Sequence, residues 1–177
     1  QIQSMLQLAN LRSESQARPP GVDLDLSEVI QKSVDRAMAS ANERGIRFET
    51  DLEPTMVCAA EDHMAMLVEN IVNNSVSYSK DDGLVEISCA AGPDDSVVVM
   101  IRDHGIGIPP DKLPLIFDDY YRTDEAANHC RMSTGLGLAV VRDVAITESV
   151  EVQVESRPGW GTRFWLTMPT KPERIES

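Results

Sequence analysis

Apolar positions along the chain switch between helical and alternating spacing, and the switches mark out the elements. Ile2, Met5, Leu6, Leu8 and Leu11 follow an approximate helical repeat over residues 1–15, which Arg18-Pro19-Pro20-Gly21 breaks. Ser27 is placed to cap a second helix, whose stripe of Val29, Ile30, Val34, Ala37, Met38 and Ala41 ends at Gly45. Residues 46–52 and 55–60 predict two short strands. A long helix from about Asp62 to Ser79 carries Met64, Leu67, Val68, Ile71, Val72 and Ser75 on one face. Residues 84–91 and 96–102 predict a strand pair around Gly92-Pro93-Asp94-Asp95. A glycine-bearing, loop-rich stretch spans 103–137, with a short helix near 111–116. Residues 138–147 predict a helix, and 150–156 and 162–168 predict closing strands about the turn Arg157-Pro158-Gly159-Trp160-Gly161. Helices and strands are segregated rather than alternating, which favours an α+β fold: a two-layer sandwich with helices over one face of a mixed sheet.

Composition adds limits. The 177 residues fit one compact domain plus a flanking element, and 42 % hydrophobic with 25 % charged residues is a globular balance. A net charge of −13 argues against a grip on nucleic acid or an anionic membrane. Cys58, Cys89 and Cys130 form no C-x-x-C pair and leave an odd count, which points to a reducing compartment rather than a disulfide framework or zinc site. No apolar run approaches the roughly 20 residues of a transmembrane helix. Gln1-Ile2-Gln3-Ser4-Met5 lacks the basic start of a signal peptide, and the absence of an initiator Met suggests a piece of a longer chain.

Three segments carry chemistry. Asn70, Asn74 and Tyr78 are spaced i, i+4, i+8 and share a helix face. Asparagine disfavours a helix interior, so this cluster reads either as a polar face or as a ligand set whose amide oxygens suit magnesium. Arg102-Asp103-His104-Gly105-Ile106-Gly107 follows an apolar strand. Its glycines admit a close backbone approach and Asp103 offers an acceptor for an adenine amine; the alternative is an ordinary glycine turn. Ser133-Thr134-Gly135-Leu136-Gly137-Leu138 opens a helix, where free N–H groups can receive an anion, or simply forms a loop before it. Backbone amides with magnesium would let an acidic domain hold a triphosphate. Neither Walker A nor dinucleotide glycine spacing occurs.

In this order the segments resemble the GHKL ATPase superfamily, the histidine kinases most closely, over roughly residues 22–169. Asn70 to Tyr78 is similar to the N box, with Asn74 at the magnesium-binding asparagine. Asp103, Gly105 and Gly107 match the first glycine box, and Gly135-Leu136-Gly137-Leu138 the second. Ile116-Phe117-Asp118-Asp119-Tyr120-Tyr121-Arg122 resembles the phenylalanine box, and Gly159-Trp160-Gly161-Thr162 the closing glycine-x-glycine-threonine motif. The resemblance implies a Bergerat-type sandwich binding ATP and magnesium under a lid of residues 118–134. Its implied contacts are Asn70, Asn74, Tyr78, Asp103, Gly105, Gly107, Arg122, Thr134, Gly135, Leu136, Gly137 and Thr162. Asn74 would hold the metal, and Asn70 and Arg122 are the catalytic candidates. Arg122 either neutralises phosphate charge or is a solvated lid arginine; Tyr78 packs near nucleotide or within the core.

The implied activity is protein-histidine kinase, with the γ-phosphoryl group passing to a histidine on an upstream dimerisation module. The implied organisation is the end of a dimerisation helix (1–18), a linker (19–24), the catalytic domain (25–170) and a tail (171–177). Implied partners are that module, as part of a homodimeric parent, and a response regulator; the fragment itself is expected to be monomeric and on the cytoplasmic side. His63, His104 and His129 read as surface or loop residues rather than phosphoacceptors.

The pattern departs from the family in places. Ser77 replaces a common lysine, Ser133 a glycine, and Thr147-Glu148-Ser149-Val150 a histidine-glycine-glycine turn. Asp118, Asp119, Asp124 and Glu125 outnumber Arg122 and Arg131 in the lid. A missing charge near phosphate weakens binding by about 1–2 kcal/mol, so reduced ATP affinity is expected. Asn70 stands where hydrolysing branches carry a glutamate base, and Glu69 is about 100° round the helix. Two alternatives remain open: an interaction domain that keeps the fold with weak or no ATP binding, and a hydrolysing ATPase.

Overall fold

The computed structural model describes residues 21–129 and 135–170, together with Ala9. The expected first helix, the tail from residue 171, and Ser133 and Thr134 of the second glycine box lie outside the described residues.

Helix α1 (Leu26–Glu43) begins one residue after Asp25, whose carboxylate accepts from the Ser27 N–H at 3.0 Å and from Thr55 N–H at 3.1 Å. The cap is therefore Asp25 and not Ser27; the Ser27 hydroxyl donates to the same carboxylate and holds its pKa below the usual value. The helix ends at Gly45 in the left-handed region, φ 65°, as the glycine there requires. Its buried stripe is Leu26, Val29, Ile30, Ser33, Val34, Ala37 and Ala41, while Met38, expected within it, lies 37 % exposed.

Strands β2 (Arg47–Leu52) and β3 (Met56–Ala59) come next as expected, and β3 pairs antiparallel with a strand absent from the sequence reading, β1 (Val22–Asp25). β1 takes up residues assigned to a linker. The remaining strands are β4 (Leu84–Ala91), β5 (Ser96–Asp103), β6 (Glu151–Arg157) and β7 (Gly161–Pro169). The main sheet runs β2-β4-β5-β7-β6, with β2 parallel to β4 and every other neighbour antiparallel.

Alternation in β5 divides the sheet into two faces. Val97, Val99 and Ile101 are buried beside Ile87, Cys89, Phe164, Leu166 and Met168 of the flanking strands. Against this face lie α1, α2 (Glu61–Tyr78) and α4 (Gly137–Glu148), which form one core with the sheet. α2 is the central helix, packed on α1, α4 and β5. The other face is helix-free among the described residues and carries Arg102, Arg163 and Trp165, each partly exposed. The two-layer sandwich expected from the sequence is thus the fold. The short helix expected at 111–116 is a 3-10 turn, Leu113–Leu115, and the lid region holds a six-residue helix, α3 (Asp124–His129), with no periodicity to announce it.

Candidate functional site

The end of α2, the end of β5, the start of β7 and the lid segment line a partly open cavity of about 80 Å³. Asn74, Tyr78, Asp103, Gly107, Arg122 and Thr162, six of the residues singled out from sequence, line it. Apolar walls come from Ile106, Ile108, Ile116, Leu138 and Phe164. Sequence reasoning had passed over these because a hydrophobic residue inside a motif reads as core.

Asp103 is 3 % exposed, and its Oδ1 accepts from Gly105 N–H at 2.9 Å and Thr162 N–H at 3.2 Å. Burial nonetheless raises its pKa to about 6, because two neutral donors do not replace the lost hydration of a carboxylate. The register Asp103↔Thr162 puts the strand-end acceptor and the closing threonine side by side, which explains how segments 59 positions apart share one site.

The glycine loop is pressed into place. Gly105 sits so close to the Tyr78 carbonyl that any Cβ would collide with it. Gly107 has φ 70° and abuts the Arg157 carbonyl. Ile106 N–H donates to Tyr78 O at 3.1 Å and Gly159 N–H to Ile106 O at 2.7 Å, so the loop is tied both to α2 and to the β6–β7 turn. That turn is held by Trp160, with the guanidinium of Arg102 at 4.8 Å and that of Arg163 at 5.1 Å from its ring.

One turn before Asn74 on α2, Asn70 turns its Nδ2 back to Met66 O at 2.7 Å and does not line the cavity; its Oδ1 faces Gly137. Asn74 also faces Gly137, so the start of α4 meets the asparagine face of α2 directly. Leu136 is fully buried and could offer a ligand only its backbone. Gly135 lies against Tyr120 and Tyr121, joining the α4 entry to the lid base. Glu69 is engaged by Arg36 of α1 on the outside of the helix pair, away from the cavity.

Arg44, which sequence reasoning did not single out, caps the end of α2. It donates to the carbonyls of Val76 at 2.7 Å, Ser77 at 3.1 Å and Ser79 at 2.7 Å. His129 of α3 also bonds Ser79 O, at 3.1 Å, with its ring 6.4 Å from that of Tyr78. His104 pairs with Glu86 on the helix-free face. His63, read as surface or loop, is instead buried at 4 % exposure with Nδ1 on Glu148 Oε1; its partner lies 85 residues away, beyond what local pattern reveals.

Among the described residues no cluster of three or more His, Cys, Asp or Glu side chains could hold a metal, and no helix is long and apolar enough to cross a membrane. A magnesium ion carried by a phosphate ligand asks only one or two protein groups, and the amide oxygen of Asn74 beside Gly137 fits that demand.

A family model described as histidine kinase-, DNA gyrase B-, and HSP90-like ATPase matches residues 59–172. The sensor histidine kinase YkoH of Bacillus subtilis is 35 % identical over 143 residues, 80 % of this chain and 31 % of its own length. The sensor-like histidine kinase SenX3 of Mycolicibacterium smegmatis is 30 % identical over 175 residues, 97 % of this chain and 44 % of its own. The chain therefore spans less than half the length of these relatives. Among solved structures, the mycobacterial sensor histidine kinase MprB superposes with a TM-score of 0.74 at 26 % identity, covering 86 % of this chain and 99 % of that one. Full-length ShkA in complex with AMPPNP shares the fold, with a TM-score of 0.80 at 23 % identity over 94 % of this chain and 34 % of that one. With the matched span covering well over half its residues, the chain belongs to the histidine kinase-, DNA gyrase B-, and HSP90-like ATPase family.

Proposed function

We propose that this chain is the ATP-binding catalytic domain of a sensor histidine kinase, presenting ATP and magnesium for transfer of the γ-phosphoryl group to a histidine elsewhere in a longer protein. The observation that carries this reading is the confrontation of Asp103 and Asn74 across one cavity, with Arg122 on its lid side. A buried carboxylate suits an adenine amine, an amide oxygen suits magnesium, and a guanidinium suits the outer phosphates. Oδ2 of Asp103 takes no protein donor among the described residues and is the oxygen offered to the base. Magnesium, when bound, neutralises charge between phosphates; the protein's own task is positioning. Gly135, Gly137 and Thr134 would give backbone and hydroxyl contacts to the phosphates, and Thr162 would hold Asp103.

Glu69 is paired with Arg36 and is not among the residues lining the cavity, so it is poorly placed as a hydrolytic base, which favours transfer over steady hydrolysis. His63, His104 and His129 bond Glu148, Glu86 and Ser79 within the domain; in this reading the acceptor belongs to a separate dimerisation module on the cytoplasmic side, itself served by a response regulator.

Calorimetry of ATP binding with and without magnesium tests this. Micromolar to submillimolar affinity, lost with Asp103→Ala and made insensitive to magnesium by Asn74→Ala, supports the reading. A folded wild type that binds no ATP at millimolar concentration overturns it in favour of an interaction domain.

A further inference from the structure

Arg142 lies on the partly exposed side of α4, outside every motif. Its Nε donates to Asp143 Oδ1 at 2.8 Å, which fixes the plane of the guanidinium. From that plane Nη1 reaches the Phe117 carbonyl at 2.8 Å and Nη2 reaches Asp119 Oδ1 at 3.2 Å. One side chain thus fastens two points of the phenylalanine box to the helix that begins at Gly137.

The path of the chain beyond Phe117 depends on that fastening. Asp118 N–H bonds Leu115 O and Tyr121 N–H bonds Asp118 O, so each turn sets the next. Between them Tyr120 stands at φ 61°, a left-handed conformation unfavourable to a residue with a Cβ, and its side chain is 61 % exposed, so its own packing does little to hold it there. Such a conformation persists where the surroundings fix it. Immediately beyond come Tyr121, Arg122, Thr123 and Ala126, which line the cavity. A simple exposed ion pair contributes little; this one differs because its second arm holds a backbone carbonyl, and only a planar fork does both at once.

We propose that Arg142 is a positioning residue for nucleotide binding: by holding Phe117 and Asp119 against α4 it sets the lid base, and with it Arg122, at the phosphate side of the cavity. The proposal rests on the nucleotide reading above.

The test compares wild type, Arg142→Met and Arg142→Lys in this 177-residue chain. Hydrogen exchange, followed by mass spectrometry without nucleotide, reads the lid base; affinities for ATP and for adenosine read the consequence. In the methionine variant, exchange should quicken across residues 117–129 and stay unchanged in β4, β5 and β7. ATP affinity should fall about ten-fold with adenosine affinity within two-fold of wild type. The lysine variant keeps the charge but not the fork and should weaken ATP about three-fold; it carries the test alone if the methionine variant does not fold. Exchange that is unchanged, or quickened evenly through the sheet, overturns the proposal. So do ATP and adenosine affinities that fall in parallel. If wild type binds no ATP, the nucleotide reading fails, while the exchange pattern still decides whether Arg142 fixes the segment.

Discussion

Nδ1 of His63 and Oε1 of Glu148 lie 2.6 Å apart, both side chains withdrawn from solvent, and the bond joins the first turn of α2 to the last turn of α4. These two helices carry the asparagine face and the second glycine box. The bond thus closes, at the far ends, the helix pair whose near ends meet at Asn74 and Gly137.

Removing either partner takes a buried hydrogen bond from the other, at a cost of about 2–4 kcal/mol. His63→Leu and Glu148→Leu are each expected to lower stability by that amount in urea unfolding. The double variant should lose less than the sum, and a double-mutant cycle showing additivity would remove the bond from the account.

Asp103 predicts opposed effects of pH on stability and on binding. Its carboxyl, raised to about 6 by burial, holds its proton in the folded state at pH values where the unfolded chain, near 3.8, has released it. Between these values the folded state binds more protons, so stability falls as pH rises from about 4 to 6, by roughly 2–3 kcal/mol in all. A nucleotide amine bonds an ionised carboxylate more strongly than a protonated one, so ATP affinity should instead fall as pH drops below 6. Asp103→Asn should flatten the stability profile across that window and weaken ATP at least ten-fold at pH 7. Persistence of the stability slope in that variant would assign it to another group.

Ser149 occupies the left-handed region, φ 58° and ψ 40°, at the end of α4, within the four residues that stand in place of a histidine-glycine-glycine turn. An L-residue there costs roughly 1–2 kcal/mol, partly offset by glycine's greater freedom when unfolded. Ser149→Gly should therefore raise stability by about 0.5–1 kcal/mol in thermal or urea unfolding. A destabilised variant would mean that the hydroxyl matters more than the backbone.

Gly107 and Gly159 offer a matched comparison. Both have positive φ, 70° and 78°, but a Cβ at Gly107 collides with the Arg157 carbonyl whereas one at Gly159 meets nothing within 4 Å. Gly159→Ala should cost about 1–2 kcal/mol of backbone strain alone. Gly107→Ala should cost more and also lower ATP affinity, as calorimetry would read.

The sequence made the site legible further than the frame around it. Asn74 and Asp103 were visible because polar residues and glycines interrupt apolar patterns where packing alone gives no reason for them, whereas Arg122 came only from the likeness of residues 116–122 to the phenylalanine box. β1 escaped notice because Val22-Asp23-Leu24-Asp25 comes after a Pro-Pro-Gly break and is too short for alternation to stand out. Asp25 and Ser27 both suit an N-cap, and the choice between them depends on the Thr55 amide, a tertiary fact. Arg142 and Arg44 look like solvated helix arginines until the carbonyls that they serve, 25 and 32 positions distant, are known. Of the acidic residues counted in the lid, Asp119 is paired with Arg142, a partner that local sequence could not supply.

Cys58 marks where the chain enters and leaves the sandwich. Its sulfur lies beside Gly21, at the head of β1, and its N–H bonds the carbonyl of Thr170, just past β7. Ser96, paired with Pro169 at this corner, and Asp103, paired with Thr162 at the cavity, stand at opposite ends of β5, about 23 Å apart at ordinary strand rise. Both ends of the described domain therefore meet at one corner, and the cavity lies at the other end of the sheet, remote from either.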